Sequence, residues 1–366
     1  MKYIFFALNI IVDLCGHLLM FLIWRYAFNV TDIYIQLALA FILLTGVFLT
    51  AVAPLLIHWR DNIFSRSIYL VTGLWLGFML NTALVAAVFW SLSGLSLLGG
   101  YLSLPSLRYL AFGVLPVLML LPEAWLAQAH KIRRLNVKIK DLPDAWSGRE
   151  IIHVSDIHLG PIWRQRFFDL LVSKVNDIGA DAIFITGDLF DGMDGDFSWF
   201  HQRKFFAPLG VYYAFGNHDL ILGEEKVRRL LDSSNIQVLD NELREVAGLQ
   251  ILGLSCYYQG RLDVEGKILS QLGYEPAKPS ILMYHEPKDV EAARKAGINL
   301  QLSGHTHGGQ MFPFNLVAHL LYRGFGSGLY YLHNFVLSVS VGAGTWGPPL
   351  RLGSRSEILV LKLLKE

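Results

Sequence analysis

Residues 156–307 carry five short blocks in order: Asp156-x-His158, Gly187-Asp188-x-x-Asp191, Gly216-Asn217-His218-Asp219, a lone His285, and Gly304-His305-x-His307. Together they offer carboxylate, imidazole and amide groups and no thiol. That donor set suits hard-to-borderline divalent ions such as manganese, iron or zinc. Gathered at one place, such groups hold two metals about 3.5–4 Å apart, the arrangement that clamps a phosphoryl group. Two cations acidify a shared water and polarise the phosphoryl oxygens, so that in-line attack becomes feasible at neutral pH. Asn217 ligates only through its carbonyl oxygen and adds no charge, which keeps the site positive for an anionic substrate. Glycines 187, 216 and 304 allow the tight turns that aim these groups inward.

The blocks need elements to position them. Apolar runs at 151–155, 182–186, 211–215, 249–254, 281–284, 300–303, 335–341 and 358–363 read as buried strands. Amphipathic patterns at 164–178, 224–233 and 288–296 read as helices between them. Buried strands with interleaved helices predict an α/β sandwich. In open α/β sheets the ligand site lies beyond the carboxyl ends of the strands. Asp156, Asp188, Asn217 and His285 all fall at such ends.

The order of the five blocks resembles the calcineurin-like metallophosphoesterase family over roughly residues 149–366. The run from Gly304 to Gln310, and the distal Gly342-Ala343-Gly344-Thr345, Pro349-Leu350-Arg351-Leu352 and Glu357-Ile358, resemble its bacterial membrane-associated branch. That branch includes enzymes that cleave the diphosphate of UDP-2,3-diacylglucosamine. The resemblance implies an αββα sandwich and two divalent ions, manganese first, with iron and zinc as alternatives. It implies one metal on Asp156, His158, Asp188 and His307, and a second on Asp188, Asn217, His285 and His305. Asp188 and a water-derived hydroxide would bridge them, the hydroxide being the in-line nucleophile. His218 would protonate or stabilise the leaving oxygen, with Asp219 orienting its ring. Asp191 reads as a brace for the loop rather than a ligand. Arg351 is a candidate phosphate contact, the alternative being a structural salt bridge, for instance with Glu357. His153, His201, His319 and His333 lie outside the blocks and read as core or surface histidines.

Composition divides the chain. It has 31 basic and 30 acidic residues, yet only nine of these precede position 130. Apolar segments at 4–24, 33–57, 67–92 and 107–129 each have about the 20 residues needed to cross a hydrocarbon core. Their succession argues against a cleavable signal peptide. Lys2, Arg60, Arg66 and the cluster Lys131, Arg133, Arg134, Lys138 and Lys140 fall on one side of four spans, against Arg25 and Arg108 on the other. The positive-inside rule then predicts a multi-pass inner-membrane protein with its catalytic domain in the cytoplasm. Residues 130–148 read as a basic juxtamembrane linker and 149–366 as the metallophosphoesterase domain. Cys15 and Cys256 form no disulfide framework, and a net charge of +1 argues against bulk attraction to nucleic acid.

Two features fall outside the blocks. Residues 311–325 are unusually apolar for a loop and read either as a helix packed on the sandwich, the favoured alternative, or as a lip for headgroups or acyl chains. Asp13 and His17 share one face of the first span, with Asn81 or Glu123 as interhelical partners.

The whole predicts an integral membrane phosphohydrolase acting on a lipid-linked phosphodiester or diphosphate such as UDP-2,3-diacylglucosamine. The rivals are a membrane-anchored phosphodiesterase for soluble substrates and a non-catalytic sensor or transport component.

Overall fold

The structure, a computed structural model, describes residues 2–94, 105–255 and 267–366. Cys256 lies outside the described residues. The chain divides into two compact units, one reaching to Trp125 with Gly347–Leu350 added, the other covering Leu126–Trp346 and Arg351–Glu366.

Among its described residues the first unit holds four apolar helices: α1 (Lys2–Ala27), α2 (Ile33–Trp59), α3 (Ile63–Gly94) and α4 (Pro105–Gln128), the last with a π-helical turn at Leu110–Val114. Each is long and apolar enough to cross a membrane. Apolar side chains such as Leu37, Phe41, Leu44 and Phe48 point outward from α2, as a lipid-facing helix requires. Inside the unit the Asp13 carboxylate meets His17 Nδ1 at 3.1 Å. Thr50 Oγ1 donates to Asp13 at 2.5 Å, and Trp75 Nε1 donates to His17 Nε2 at 2.8 Å. The partners of Asp13 and His17 are therefore Thr50 and Trp75, not Asn81 or Glu123. Asn81 instead donates to the Glu123 carboxylate at 3.1 Å. In an apolar surround each polar group binds whichever partner its helix packing brings within reach.

Among its described residues the second unit contains twelve strands. They are β1 (Lys131–Ile139), β2 (Glu150–Val154), β3 (Ala182–Thr186), β4 (Val211–Ala214), β5 (Ile236–Val238) and β6 (Glu242–Val246), then β7 (Leu249–Leu254), β8 (Ser280–Tyr284), β9 (Leu300–Ser303), β10 (Gly328–Leu332), β11 (Phe335–Val339) and β12 (Glu357–Lys365). They form two six-stranded sheets, ordered β1-β12-β2-β3-β4-β5 and β10-β11-β9-β8-β7-β6. The runs β2-β3-β4-β5 and β7-β8-β9-β11 are parallel; β12 joins the first antiparallel at β2, and β6 and β10 flank the second antiparallel on both sides.

Alternation along each strand sorts side chains into layers. Ile151, Phe184, Ile281 and Leu302 fill the space between the sheets. Ile152, Ile183 and Val360 face the outer helices α5 (Gln165–Ile178), α6 (Asn217–Leu222) and α7 (Glu224–Asp232). Leu252, Leu282 and Leu337 face α8 (Lys267–Gln271) and α9 (Val290–Lys295). The result is helix, sheet, sheet, helix. Helix α5 forms because Phe168, Leu171, Val172 and Val175 repeat at helical spacing toward the core. It stops at Gly179, which takes the left-handed conformation (φ 68°) that ends helices without a Cβ penalty.

The stretch read as a basic linker differs most from expectation. Residues 131–139 form β1, paired in parallel with β12 over its whole length. Val137 and Ile139 are buried between the sheets, Lys131, Arg134 and Lys138 are exposed, and the half-buried Arg133 pairs with Glu357. Arg134 and Lys138 alternate with the inward-facing Leu135, Val137 and Ile139, while Lys131 and Arg133 precede these on the same face. A soluble fragment beginning at Gly148 should accordingly melt well below one beginning at His130. Losing the burial of Val137 and Ile139 alone costs about 1.5–3 kcal/mol each. Equal melting temperatures of the two fragments would make β1 dispensable.

Candidate metal centre

The five blocks meet where the parallel strands of both sheets end. Asp156 and His158 follow β2, Asp188 follows β3, Asn217 and His218 open α6 after β4, His285 follows β8, and His305 and His307 follow β9. Such convergence needs backbones closer than side chains permit. A Cβ added to Gly216 would stand 2.1 Å from Asp188 Oδ1, and one on Gly304 1.9 Å from Ser155 Oγ. Gly216 is thus required for approach rather than for a turn; its φ is −96°, open to any residue. The converging residues themselves are strained. Asp156, His158, Asp188, His305 and His307 are all left-handed, with φ of 52°, 53°, 51°, 70° and 50°. That conformation costs an L-residue roughly 1–2 kcal/mol each. Strain of this kind persists only where the surrounding structure over-determines it, and it gathers at functional sites.

Among the described residues three groups of possible ligand atoms result: Asp156, His158 and His307; His158, Asp188 and His218; and Asp188, His285 and His305. Asp188 belongs to two of them, with Oδ2 at 3.1 Å from His285 Nε2 and 3.8 Å from His158 Nε2. Asn217 Oδ1 is buried and has no hydrogen-bond partner in the protein, as a carbonyl reserved for a cation would be. His218 offers a ring nitrogen within 4.8 Å of the possible ligand atoms of His158 and Asp188.

Neighbouring groups orient the rings. Asp191 Oδ1 lies 3.0 Å from His158 Nδ1, and the Thr186 carbonyl 2.7 Å from His285 Nδ1, so both rings turn Nε2 toward the cluster. Ring nitrogens then face one another: His158 and His307 Nε2 at 3.0 Å, and His285 Nε2 and His305 Nδ1 at 3.2 Å. Two lone pairs at that distance repel unless a proton or a cation lies between them. Electrostatics divides each pair in the same way. Burial works against a charged His285, but the Asp188 carboxylate overrides it and pushes the ring up to about 10. Burial and the His285 charge push His305 down to about 4. His158 is raised against burial by Asp191 and Asp188, while burial and the His158 charge hold His307 well below the ordinary histidine value. Asp188, despite its burial, is held well below the usual carboxylate range by His285. The donor set therefore fits divalent cations, which would take the place of the shared protons.

Two expected roles are corrected. Asp219 does not orient the His218 ring. Its oxygens accept from the amides of Asp188 (2.7 Å), Phe190 (2.9 Å) and Gly216 (2.9 Å), pinning the β3 loop to the start of α6. His218 Nδ1 faces the Asp191 carbonyl instead, at 3.1 Å. Arg351 is fully buried and out of reach of a substrate. Its terminal nitrogens donate to the carbonyls of His307 (3.1 Å), Val341 (2.6 Å) and Gly344 (2.7 Å), binding the His307 loop to the segment after β11. Glu357 pairs with Arg133 and the Val341 amide, so it is not the partner of Arg351.

Sequence reasoning missed the groups that hold the site from behind. Thr186 orients His285, and its carbonyl also accepts from Ser155 Oγ at 2.9 Å. His153, between the sheets, spans Ser338 Oγ (3.2 Å) and Thr186 Oγ1 (2.8 Å), and burial pushes it down to about 3. It is a core histidine, as expected, but one that ties three strands beneath the cluster. A polar residue closing an otherwise apolar strand was the available signal.

A family model for calcineurin-like phosphoesterases matches residues 149–309. An uncharacterized metallophosphoesterase of Campylobacter jejuni is 35% identical over 229 residues, 61% of this chain and 61% of that one. A bovine "transmembrane protein with metallophosphoesterase domain" is 34% identical over 289 residues, 71% of this chain and 62% of that one. The Bacillus subtilis protein named uncharacterized metallophosphoesterase YkuE is 30% identical over 253 residues, 64% of this chain and 87% of that one. The chain spans about three fifths of the length of the Campylobacter and bovine relatives.

Two outcomes follow from this geometry. Metal uptake at neutral pH must displace the His285 proton, so apparent affinity should rise about tenfold per pH unit up to about 10. Calorimetric titration with manganese in two buffers of different ionisation enthalpy reads the released proton; identical heats would exclude the displacement. Arg351→Met should lower the melting temperature and metal content together, because each buried carbonyl left without its donor costs about 1–3 kcal/mol. A rise in KM with unchanged melting would restore Arg351 to the substrate.

Proposed function

The chain belongs to the calcineurin-like phosphoesterase family, and on that footing we propose that it is a membrane-bound, metal-dependent phosphohydrolase. The observation that carries the reading is the convergence of Asp156, His158, Asp188, His285, His305 and His307, with the unpartnered Asn217 carbonyl beside them. Two divalent cations, manganese first, would be held as two sets sharing Asp188. When bound they supply the positive charge that polarises a phosphoryl oxygen and acidifies water.

The protein's own part is positioning and proton transfer. Asp191 and the Thr186 carbonyl fix the tautomers of His158 and His285, so that each presents a lone pair. His218 is partly buried, its backbone amide held by Asp188 and its Nδ1 by the Asp191 carbonyl. Its other nitrogen is left to donate a proton to a leaving oxygen, a contribution of roughly 10²–10⁴-fold. Asp219 keeps the loops of Asp188 and Asn217 in register without touching the substrate.

The four apolar helices support a lipid-linked phosphodiester or diphosphate as substrate, because a tethered site meets such a molecule at high effective concentration. The basic residues flanking the helices favour the cytoplasmic face of the inner membrane. The test is hydrolysis of UDP-2,3-diacylglucosamine in detergent micelles with manganese. Cleavage to UMP and the lipid phosphate should be abolished in Asn217→Ala and slowed roughly 10²–10⁴-fold in kcat in His218→Ala. Turnover of an aryl phosphodiester without cleavage of the lipid would keep the hydrolase and discard the lipid. Activity unchanged in Asn217→Ala would discard the metal assignment.

A further inference from the structure

Helix α10 (Phe314–Leu321) follows His307 by a single turn and a short loop. The sequence favoured a helix packed on the sandwich, and the structure bears out only half of that. Met311 and Ala318 are buried and Asn315 half-buried, so one narrow stripe is seated. The opposite side is bare: Phe314 is 51% exposed, Leu320 78% and Leu321 73%, with Phe312, Leu316 and Val317 exposed beside them. Hydrophobic burial drives the packing of such side chains wherever a partner surface exists. A contiguous patch of this kind on a folded domain marks a binding surface.

The patch is bolted to the metal centre. At the far end of α10 the Tyr322 ring stands 5.9 Å from the His305 ring. At the near end the Gln310 side chain exchanges two hydrogen bonds, each 3.0 Å, with the backbone of Trp346. Trp346 is itself 48% exposed, and its ring lies 5.9 Å from that of His218. Exposed apolar groups thus adjoin the cluster on both its His305 and its His218 sides. Arg323, also exposed, follows α10 directly.

We propose that the exposed face of α10 inserts into the interfacial layer of the lipid bilayer. The bilayer is the occupant the chain itself supplies. The same chain carries four helices able to span one, and only two residues separate the end of α4 from the start of β1. A lipid surface is therefore at high effective concentration for every copy of the domain. The face also has the composition of an interfacial helix, with Phe and Leu on one side, an exposed Trp beside it, and an Arg at the edge suited to anionic headgroups. Seated this way, α10 holds the metal centre at headgroup depth, which rests on and deepens the lipid-phosphate reading above.

The test uses the full chain in nanodiscs whose phosphatidylglycerol carries a diazirine in one acyl chain, with adducts mapped by mass spectrometry after illumination. Adducts are expected on residues 312–321 as well as on α2. In the double variant Leu320→Gln, Leu321→Gln those on 312–321 should fall about tenfold or more while those on α2 persist. Labelling of α2 without labelling of 312–321 overturns the proposal, as does labelling that the variant leaves unchanged or cross-linking of this segment to a second copy in place of lipid. The readout needs no turnover. A chain that labels but hydrolyses neither the lipid nor an aryl phosphodiester refutes the hydrolase and leaves the lip standing. A chain that hydrolyses but does not label does the reverse.

Discussion

Asp188 is a carboxylate almost wholly removed from water, and its charge is tolerable there only because cations or protonated rings surround it. His285 and His158 lie on its Oδ2 side, and the His218 amide donates to Oδ1. Two groups of possible ligand atoms share this one carboxylate, and it sits where the strand ends of both sheets meet. In keeping with that position, β3 is central in its sheet and its loop is pinned from several directions. Asp219 ties it to the start of α6, and the Thr186 carbonyl, just before the loop, ties the strand end to His285 and Ser155.

Crowding so many donors at strand ends has a cost in the backbone. Five of the residues are left-handed although none is glycine, and Gly216 and Gly304 give up a Cβ so that neighbouring turns can touch. The cores on either side of the sheets, and the polar links beneath the cluster, supply the rigidity that holds this strain. His153 and Arg351 are the clearest cases. Each is a buried polar group whose partners lie on several strands or loops, and neither faces a ligand. Groups of this kind specify geometry, because any displacement leaves a buried donor or acceptor unpaired.

Much of the arrangement was legible from the chain. Blocks of charged and imidazole residues placed just after apolar runs announce both the strands and their ends, since charged groups are rarely buried without partners. The αββα layering follows from the same runs, and four segments of sufficient length announce the apolar helices. Boundaries of β2, β3, β8 and β9 agree with the apolar runs to within a residue. The basic stretch 131–139 misled because its Lys and Arg residues drew attention from the alternating Leu135, Val137 and Ile139 that seat a strand.

What the chain could not disclose were contacts between residues far apart in sequence. Asp219 follows His218 directly, yet its oxygens are directed to amides 31 and 29 positions away. Arg351 looked available for a phosphate, and only the packed structure reveals the carbonyls that enclose it. Residues 311–325 read as a packed helix ahead of an exposed lip, yet periodicity reports a helix and not what stands opposite it. The sequence by itself determined which groups exist and which strand ends present them, since these depend on local pattern. Tertiary structure alone decided which of them face one another and which face nothing, since that depends on closing long loops around a shared core.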